Sequence, residues 1–227
     1  MLAISIYNKK GGVGKSLFSI VISSWFGHNG KKTTLLDLDP QGGSLLFASI
    51  AEQAGTKLTF NVARKPTSKD VDVFVFDHSP GIHSGGDGQL APFVIIPTIL
   101  DASSYSATLK SVQELREQGK TDNDFIVVPN RVEIQNKEQL DLLIKLQEEH
   151  RAAGHEYDLP YIKKRVAYPR SYNNGVTIFE DKTGLPLVSD ARKEFELLME
   201  AVGQKIKAGV EAVSYTHLRA HETVLDL

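Results

Sequence analysis

The chain has 227 residues, of which 41% are hydrophobic and 24% are charged, with a formal net charge of -2 and a pI near 6.4. This balance is typical of a globular protein and excludes a global basic field, so any nucleic-acid contact must come from a local patch. The absence of cysteines excludes disulfides, thiolate metal sites and cysteine-bound iron–sulfur clusters. We expect no signal peptide at the start, and no apolar run approaches the roughly 20 residues of a membrane-spanning helix.

Short apolar segments alternate with helical patterns along the chain. Strands are predicted at residues 2–7, 33–38, 58–62, 71–77, 93–97 and 125–129, with a further short one at 161–162. Helices are predicted at residues 17–27, 44–54, 102–118, 136–153 and 189–207. In the last three helices the spacing of the apolar residues predicts which side chains face the core. These are Leu109, Val112, Leu115, Leu140, Leu143, Ile144, Phe195, Leu198, Met199 and Val202. Such alternation predicts an α/β fold with a mostly parallel central sheet and helices on both faces.

A glycine-rich loop connects the first strand to the first helix. Residues 10–16 read KGGVGKS, which fits the P-loop pattern G-x-x-x-x-G-K-[ST] except that Lys9 replaces the first glycine. In such a loop glycines let backbone N–H groups face phosphate oxygens, a lysine adds a point charge, and a hydroxyl can ligate Mg²⁺. The start of the following helix adds a positive dipole end. The predicted nucleotide-binding residues are Gly11, Gly12, Val13, Gly14, Lys15, Ser16 and Leu17.

Two of the predicted strands end on aspartates. The second strand runs into DLDPQG at residues 37–42, and the fourth lies within VFVFDHSPG at residues 73–81. Open α/β sheets bind ligands at the carboxyl ends of their strands, and one well-placed carboxylate is enough to align a water for phosphoryl transfer. For the first segment a capped turn is the alternative interpretation, because Asp-Pro and Gln-Gly favour turns.

These motifs together resemble the ParA/MinD superfamily of P-loop ATPases. KGGVGKS is similar to its deviant Walker A motif, which is marked by an extra lysine early in the loop, here Lys10. DLDPQG resembles the family's switch segment, and VFVFDHSPG resembles its Walker B strand with the segment that follows. FVIIPT at residues 93–98, with the Asp-Ala-Ser that begins at Asp101, is similar to the next strand and helix start. The resemblance spans about residues 1–207 and favours short ParA proteins that lack an N-terminal helix-turn-helix domain.

The resemblance implies a role for each matching residue. Lys10, Lys15 and Asp39 are the expected catalytic residues, with Lys10 reaching the partner subunit's nucleotide as an arginine finger does elsewhere. The resemblance also implies magnesium binding at Ser16, Asp37 and Asp77, a backbone approach to the γ-phosphate at Gly81, and an adenine contact at Asn130. For Asn130 a polar loop residue is an equally good interpretation. Lys9 is expected at the surface, and His78 is left unexplained.

The expected cofactors are ATP and Mg²⁺, and the expected partners are a second copy of the chain, non-specific DNA and a ParB-like adaptor. The densest basic stretch, with Tyr168 and Tyr172 beside it, predicts the DNA contacts Lys163, Lys164, Arg165 and Arg170. Phosphate contacts need only charge, and a two-fold axis would double a small patch. A solvated loop is the plain alternative. We expect a cytoplasmic, nucleoid-associated protein without membrane attachment.

Three other functions stay open at this point. A MinD-like ATPase that positions cargo at a membrane needs a C-terminal amphipathic helix, whereas residues 189–207 are typical of a packing helix. A metabolic or electron-transfer relative is disfavoured, because the nitrogenase iron protein type needs cysteines and the tyrosine-kinase type needs a tyrosine-rich tail. A binding module that keeps ATP without hydrolysis is disfavoured because Lys15, Asp39 and Asp77 are all present.

The end of the chain is set apart from this interpretation. Residues 213–223 read VSYTHLRAHET, which resembles the translation of a transposon-type sequencing-library adaptor. We therefore predict one ParA-like ATPase domain over residues 1–212 and a non-native tail over residues 213–227. On this interpretation the natural C-terminus is expected to be missing.

Overall fold

The computed structural model describes residues 1–80, 89–181 and 183–225, with side chains described up to residue 209. Within these residues six parallel strands form one sheet in the order β3-β2-β4-β1-β5-β6. The strands are β1 (Leu2–Ile6), β2 (Thr33–Asp37), β3 (Asn61–Ala63), β4 (Val73–Asp77), β5 (Phe93–Thr98) and β6 (Phe125–Pro129). The helices are α1 (Lys15–His28), α2 (Gly43–Gln53), α3 (Ala102–Glu117), α4 (Lys137–Ala152), α5 (Ala167–Asn174) and α6 (Val188–Leu225).

Helices cover both faces of the sheet, as the buried strand residues show. Along β5 the side chain of Ile95 belongs to a core shared with α1 and α6, whereas its neighbours Val94 and Ile96 pack in a second core with Leu115 of α3. Successive side chains of a strand point to opposite faces, so both faces of β5 are apolar because both are covered. The predicted α/β architecture is confirmed.

The strand register brings the acidic strand ends together. In the parallel pairing Asp77 of β4 lies opposite Asp37 of β2 on one side and opposite Ile6 of β1 on the other. The loop after β1, which carries the KGGVGKS motif, therefore leaves the sheet beside two aspartates. This edge is where the fold positions the candidate site.

Several predicted boundaries differ from the structure. The strand predicted at residues 161–162 is absent, and only an isolated bridge joins Lys163 to Val132 there. Strand β3 starts at Asn61 instead of residue 58, helix α5 was not predicted, and α6 continues past residue 207 to Leu225. Within the described residues no helix combines the length and apolar character needed to cross a bilayer.

The inward faces predicted for α3 and α4 are partly wrong. Leu109 is 53% exposed, and Leu140 and Ile144 are also exposed. The buried face of α3 consists of Ser104, Thr108, Ser111 and Leu115, because this helix packs small polar side chains against the loop after β1. In α4 the buried residues are Leu143 and Leu146. By contrast Phe195, Leu198, Met199 and Val202 of α6 are all buried as predicted.

The close packing of α5 on α2 generates a test of the fold. Gly175, with φ of +61°, ends α5, and a Cβ placed there would lie 2.5 Å from the backbone N and Cα of Ala51. Gly184 has the same φ of +61° but open space around it. We expect Gly175→Ala to lower the free energy of unfolding by about 2–4 kcal/mol, since left-handed strain and overpacking add. Gly184→Ala should cost only about 1 kcal/mol of strain.

Urea unfolding of the two variants, followed by circular dichroism, measures this difference. Equal losses in both would contradict the tight α2–α5 contact.

Candidate functional site

A buried asparagine organises the start of the phosphate loop. Asn8 is fully buried, and its Nδ2 donates to Pro97 O at 2.9 Å and to Thr108 Oγ1 at 2.8 Å. Its Oδ1 accepts from the backbone N of Lys10 at 2.9 Å. A buried amide with these partners fixes where the loop leaves β1. The sequence analysis missed this role, although a polar residue directly after a buried strand was a visible signal.

The middle of the loop turns through two glycines and is braced by Asn130. Gly12 has φ of +78° and Gly14 has φ of +102°, a region that other residues rarely adopt. Nδ2 of Asn130 donates to Val13 O at 2.7 Å, and a Cβ on Gly14 would lie 2.5 Å from that nitrogen. Asn130 therefore contacts the phosphate loop itself, while its adenine contact stays a prediction.

The two lysines of the motif point in different directions. Lys15 is buried and its Nζ donates to the backbone O of Lys10 at 3.0 Å. Burial lowers the pKa of Lys15, against the charges of Asp77 and Asp39 that raise it. The half-buried Lys10 side chain instead lies along the surface, where its Nζ donates to Ser103 Oγ at 3.1 Å. One lysine thus lies inside the loop and the other lies outside it.

Asp77 is a fully buried carboxylate with one free oxygen. Its Oδ2 accepts from Ser44 Oγ at 2.7 Å, whereas its Oδ1 has no hydrogen-bond partner among the described residues. Burial raises the pKa of Asp77 to about 6, although the Ser44 and Ser16 hydroxyls and the Lys15 charge lower it. Ser44, at the start of α2, was not predicted as a site residue.

This donor set fits magnesium. Mg²⁺ in nucleotide sites takes one or two carboxylates or hydroxyls from the protein and completes its shell with phosphate oxygens and water. Oδ1 of Asp77, which has no partner among the described residues, and the Ser16 hydroxyl are groups of this kind, and their role as ligands stays a prediction. Asp37 is more occupied, because its two oxygens accept from the backbone N of Asp39 at 3.1 Å and of Leu45 at 2.9 Å. Asp37 thus holds the turn into α2, as the capped-turn interpretation expected, and its contribution to the metal site stays a prediction.

Asp39 lies at the mouth of the site. It is half-buried, its Oδ1 accepts from Gln41 N at 2.9 Å, and its backbone O accepts from Arg64 at 2.8 Å. This fixes the turn while the carboxylate stays within electrostatic reach of Lys15. Such a group can orient a water, which stays a prediction for Asp39. Gly81 lies outside the described residues.

A cavity of about 640 Å³ adjoins the phosphate loop. Leu17 and Asn130 form the wall nearest the loop, and Val166, Pro169 and Tyr172 form the opposite wall. The volume suits a flat heterocycle, and the lining adds the cationic side chains of Arg131, Lys164 and Arg165 to the apolar and amide groups. The wall from α5 was missed, because that helix was not predicted.

The geometry agrees with a comparison of the sequence against protein families. Residues 4–178 match the model described as the CobQ/CobB/MinD/ParA nucleotide binding domain. The chain belongs to this family. The resemblance inferred from the KGGVGKS, DLDPQG and VFVFDHSPG segments is therefore confirmed at the level of the family.

Solved structures of family members share the fold. MinD from Pyrococcus horikoshii, complexed with Mg-ADP, is 16% identical with a TM-score of 0.61, and the match covers 91% of this chain and 99% of that one. A plasmid partition protein from Borrelia burgdorferi is 16% identical with a TM-score of 0.53, covering 77% and 95%. At 16% identity, both matches show that the fold is shared and nothing beyond it.

A curated relative matches over part of its length. The uncharacterized protein Rv1708 of Mycobacterium tuberculosis is 30% identical over 116 residues, which is 51% of this chain and 32% of that protein. The match thus covers about a third of the relative.

In the present chain, His78 is part of the scaffold beside the phosphate loop. Its Nε2 forms a hydrogen bond of 2.8 Å with Ser5 Oγ, and Ala91 N donates to the same hydroxyl oxygen at 2.9 Å. Burial and the charge of Lys15 lower the pKa of His78 to about 4. The imidazole is thus neutral at physiological pH and supports the end of β1.

The basic stretch is less uniform than the sequence suggested. Arg165 is largely buried and pairs with Glu194 at 2.7 Å and Asp190 at 3.2 Å. Lys164 pairs at the surface with Glu133 at 3.1 Å, Lys163 Nζ lies 6.0 Å from the Tyr161 ring centroid, and Arg170 is exposed. DNA contact by these four residues stays a prediction. Arg165 is the residue least available to DNA, because it is largely buried and its charge is paired.

The two tyrosines named beside this stretch also have internal partners. Tyr168 is buried with its hydroxyl donating to Glu194 at 2.9 Å, and Tyr172 donates to Gly43 O at 2.6 Å.

The buried Asp77 carboxyl generates a prediction about stability and pH. Its folded pKa of about 6 lies above the value near 4 of an unfolded aspartate, so the native state binds more protons in that window. Its contribution to stability is therefore present below about pH 4 and is lost as pH rises to about 6. We expect Asp77→Asn to raise the free energy of unfolding of the nucleotide-free protein at pH 7.5 by about 1–3 kcal/mol.

Asp37→Asn is the matched control with the opposite sign. Both oxygens of Asp37 accept backbone N–H groups, and an amide nitrogen cannot replace either, so this variant should lose about 1–2 kcal/mol. Chemical unfolding between pH 4 and pH 8 measures both effects. A destabilised Asp77→Asn at pH 7.5 would contradict the strained state assigned to this carboxylate.

Proposed function

We propose that the chain is a magnesium-dependent ATPase that dimerises around two ATP molecules and binds DNA non-specifically in that state. A ParB-like adaptor then stimulates hydrolysis, and the cycle drives partition of a DNA cargo from a cytoplasmic, nucleoid-associated position. One observation carries the proposal: buried Lys15 lies within electrostatic reach of Asp77, whose Oδ1 has no partner in the described part of the chain, at the sheet edge where the glycine-rich loop leaves β1. The fold shared with the plasmid partition protein from Borrelia burgdorferi supports DNA as the cargo.

Each residue at this edge has a separate role in the proposed phosphoryl transfer. The loop amides, the start of α1 and Lys15 hold the terminal phosphates. When bound, Mg²⁺ supplies charge neutralisation between the β- and γ-phosphates, and Ser16 and Asp77 would hold it. Asp39 orients a water whose oxygen bonds to the γ-phosphorus while the bond to the β–γ bridging oxygen breaks. ADP and phosphate are the products.

Lys10 is the basis for the dimer. Its backbone O accepts from Lys15 inside the loop, so its backbone is fixed, while its amino group reaches the surface beside Ser103. From there it is well placed to meet a nucleotide presented by a second subunit. Each lysine then neutralises transition-state charge in the opposite site.

Substitutions in the loop separate ATP binding from dimerisation. With Mg-ATP, we expect Asp39→Ala to sediment as a dimer without turnover and Asp39→Ala/Lys10→Ala to bind ATP as a monomer. Lys15→Ala should weaken ATP binding by about 10- to 100-fold, because a hydrogen bond to a charged group contributes about 1.5–3 kcal/mol. The control Lys9→Ala removes only an ion pair with Glu114 and should keep the dimer.

Analytical ultracentrifugation and a fluorescent-nucleotide titration give these readouts. A Mg-ATP complex of Asp39→Ala that stays monomeric would contradict the dimer mechanism.

The DNA contact is tested through its salt dependence. Each phosphate contact contributes about 0.9 to the slope of log affinity against log salt, so Arg170→Ala should reduce the slope of a dimer by about 2. Lys69, exposed in the loop that leads to the amino end of β4, is the control, and Lys69→Ala should leave the slope unchanged. Fluorescence anisotropy with a random-sequence duplex measures both. Wild-type DNA affinity that is equal with ADP and with ATP would refute the switch.

A further inference from the structure

Helix α5 contacts the magnesium side of the site through one hydroxyl. Tyr172 Oη donates to the backbone O of Gly43 at 2.6 Å. Gly43 begins α2, and the next residue, Ser44, donates to Asp77. A Cβ on Gly43 would lie 2.8 Å from Ser16 Oγ, so the residue is pressed against that hydroxyl. Tyr172 thus holds the Gly43 peptide, which lies between Ser16 and Ser44, the residue that donates to Asp77.

The same tyrosine is fixed firmly to its surroundings. Its ring lies 5.7 Å from the Phe47 ring of α2, and Gly175 at the end of α5 closely approaches the backbone of Ala51. Burial and the charges of Asp37 and Asp77 raise the pKa of Tyr172, which keeps its hydroxyl protonated and donating. Displacement of the start of α2 is therefore transmitted to α5 instead of being absorbed at a loose contact.

Helix α5 also carries surface features relevant to ligands. Arg170 is exposed on it, Lys164 precedes it, and Pro169 and Tyr172 form a wall of the cavity beside the phosphate loop. One short helix thus borders the candidate base cavity, contacts the magnesium side and presents Arg170 outward.

We propose that Tyr172 is a positioning residue that couples the magnesium side of the nucleotide site to helix α5 and so to the basic residues Lys164 and Arg170. The inference rests on the proposed function for its DNA readout, but the coupling to α5 is measurable without DNA. Metal binding at Oδ1 of Asp77 would change the charge of the carboxylate that Ser44 contacts through Oδ2, and the bond from Tyr172 to Gly43 passes the resulting shift of the start of α2 to α5. Coupling of this kind needs a contact whose strength differs between the two nucleotide states.

Two tyrosines on the same helix provide a matched pair of variants. Tyr172→Phe keeps the ring against Phe47 and removes only the bond to Gly43. Tyr168→Phe removes a hydroxyl whose partner is Glu194 of α6 instead of a residue at the start of α2. Both lose one internal hydrogen bond, so a general loss of stability should affect them alike. Thermal melts check that each variant is folded.

The first measurement is hydrogen exchange of the α5 amides with and without Mg²⁺ and a non-hydrolysable ATP analogue. We expect wild type and Tyr168→Phe to gain protection in α5 on nucleotide addition, and Tyr172→Phe to lose most of that gain while still binding the analogue. An equal gain in all three proteins would overturn the coupling.

The second measurement is the ratio of DNA affinities with the ATP analogue and with ADP. We expect Tyr172→Phe to reduce this ratio by about five- to tenfold, the lower range of allosteric couplings, and Tyr168→Phe to preserve it. An unchanged ratio in Tyr172→Phe counts against the proposal. A wild type whose α5 responds to nucleotide but whose DNA affinity does not would contradict the proposed function while supporting the coupling.

Discussion

The arrangement depends on a buried carboxylate, Asp77, whose hydrogen bonds from the described residues reach only one of its two oxygens. Asp77 has one oxygen bonded to Ser44 and the other without a described partner, and burial raises its pKa to about 6. An unpaired buried polar atom destabilises the native state, and such strain is typically found at functional sites. The carboxylates of Asp77 and Asp39 act on the buried ammonium of Lys15, and Asp37 lies opposite Asp77 in the sheet. A polyphosphate would therefore enter an acidic environment unless a divalent cation entered with it, which is why the site fits Mg-nucleotide better than nucleotide alone.

The fold was largely predictable because most of its elements are buried on both faces. Strands β4, β5 and β6 are nearly continuous apolar runs, β1 is interrupted only by Ser5, and β2 combines two threonines with two leucines, which suits a parallel sheet that is covered on both faces. Edge strand β3 has only three residues and pairs with one neighbouring strand, so its position along the chain was predicted about three residues too early. Helix α5 reads AYPRSYNN and was missed because it is short, contains a proline and has no aliphatic residue larger than alanine, although its buried residues Ala167, Tyr168 and Ser171 lie on one helical face. The inner face of α3 was predicted wrongly for a related reason, because that face is polar and packs against the phosphate loop instead of the apolar core.

The site was predictable where its residues are close in sequence. Residues 10–16 form one loop, so their chemistry could be predicted from spacing. Asn8, Ser44 and Tyr172 were missed because their partners lie far along the chain, as in the Tyr172–Gly43 bond that spans 129 residues. Only the strand order brings such groups together. The same reasoning explains why Arg165 was taken for a surface cation, since Glu194, which neutralises it, arrives from α6.

The position of Lys10 is compatible with a role in either of two environments. Its bond to Ser103 joins an ammonium and a hydroxyl at the surface, where water competes for both groups, so releasing it costs roughly 1 kcal/mol or less. A phosphate from a second subunit offers a full negative charge in a drier interface, where the same ammonium gains more. The backbone of Lys10 does not need to move for this exchange, since Asn8 and Lys15 hold it on either side. The loop can therefore bind its own nucleotide and still direct one lysine outward.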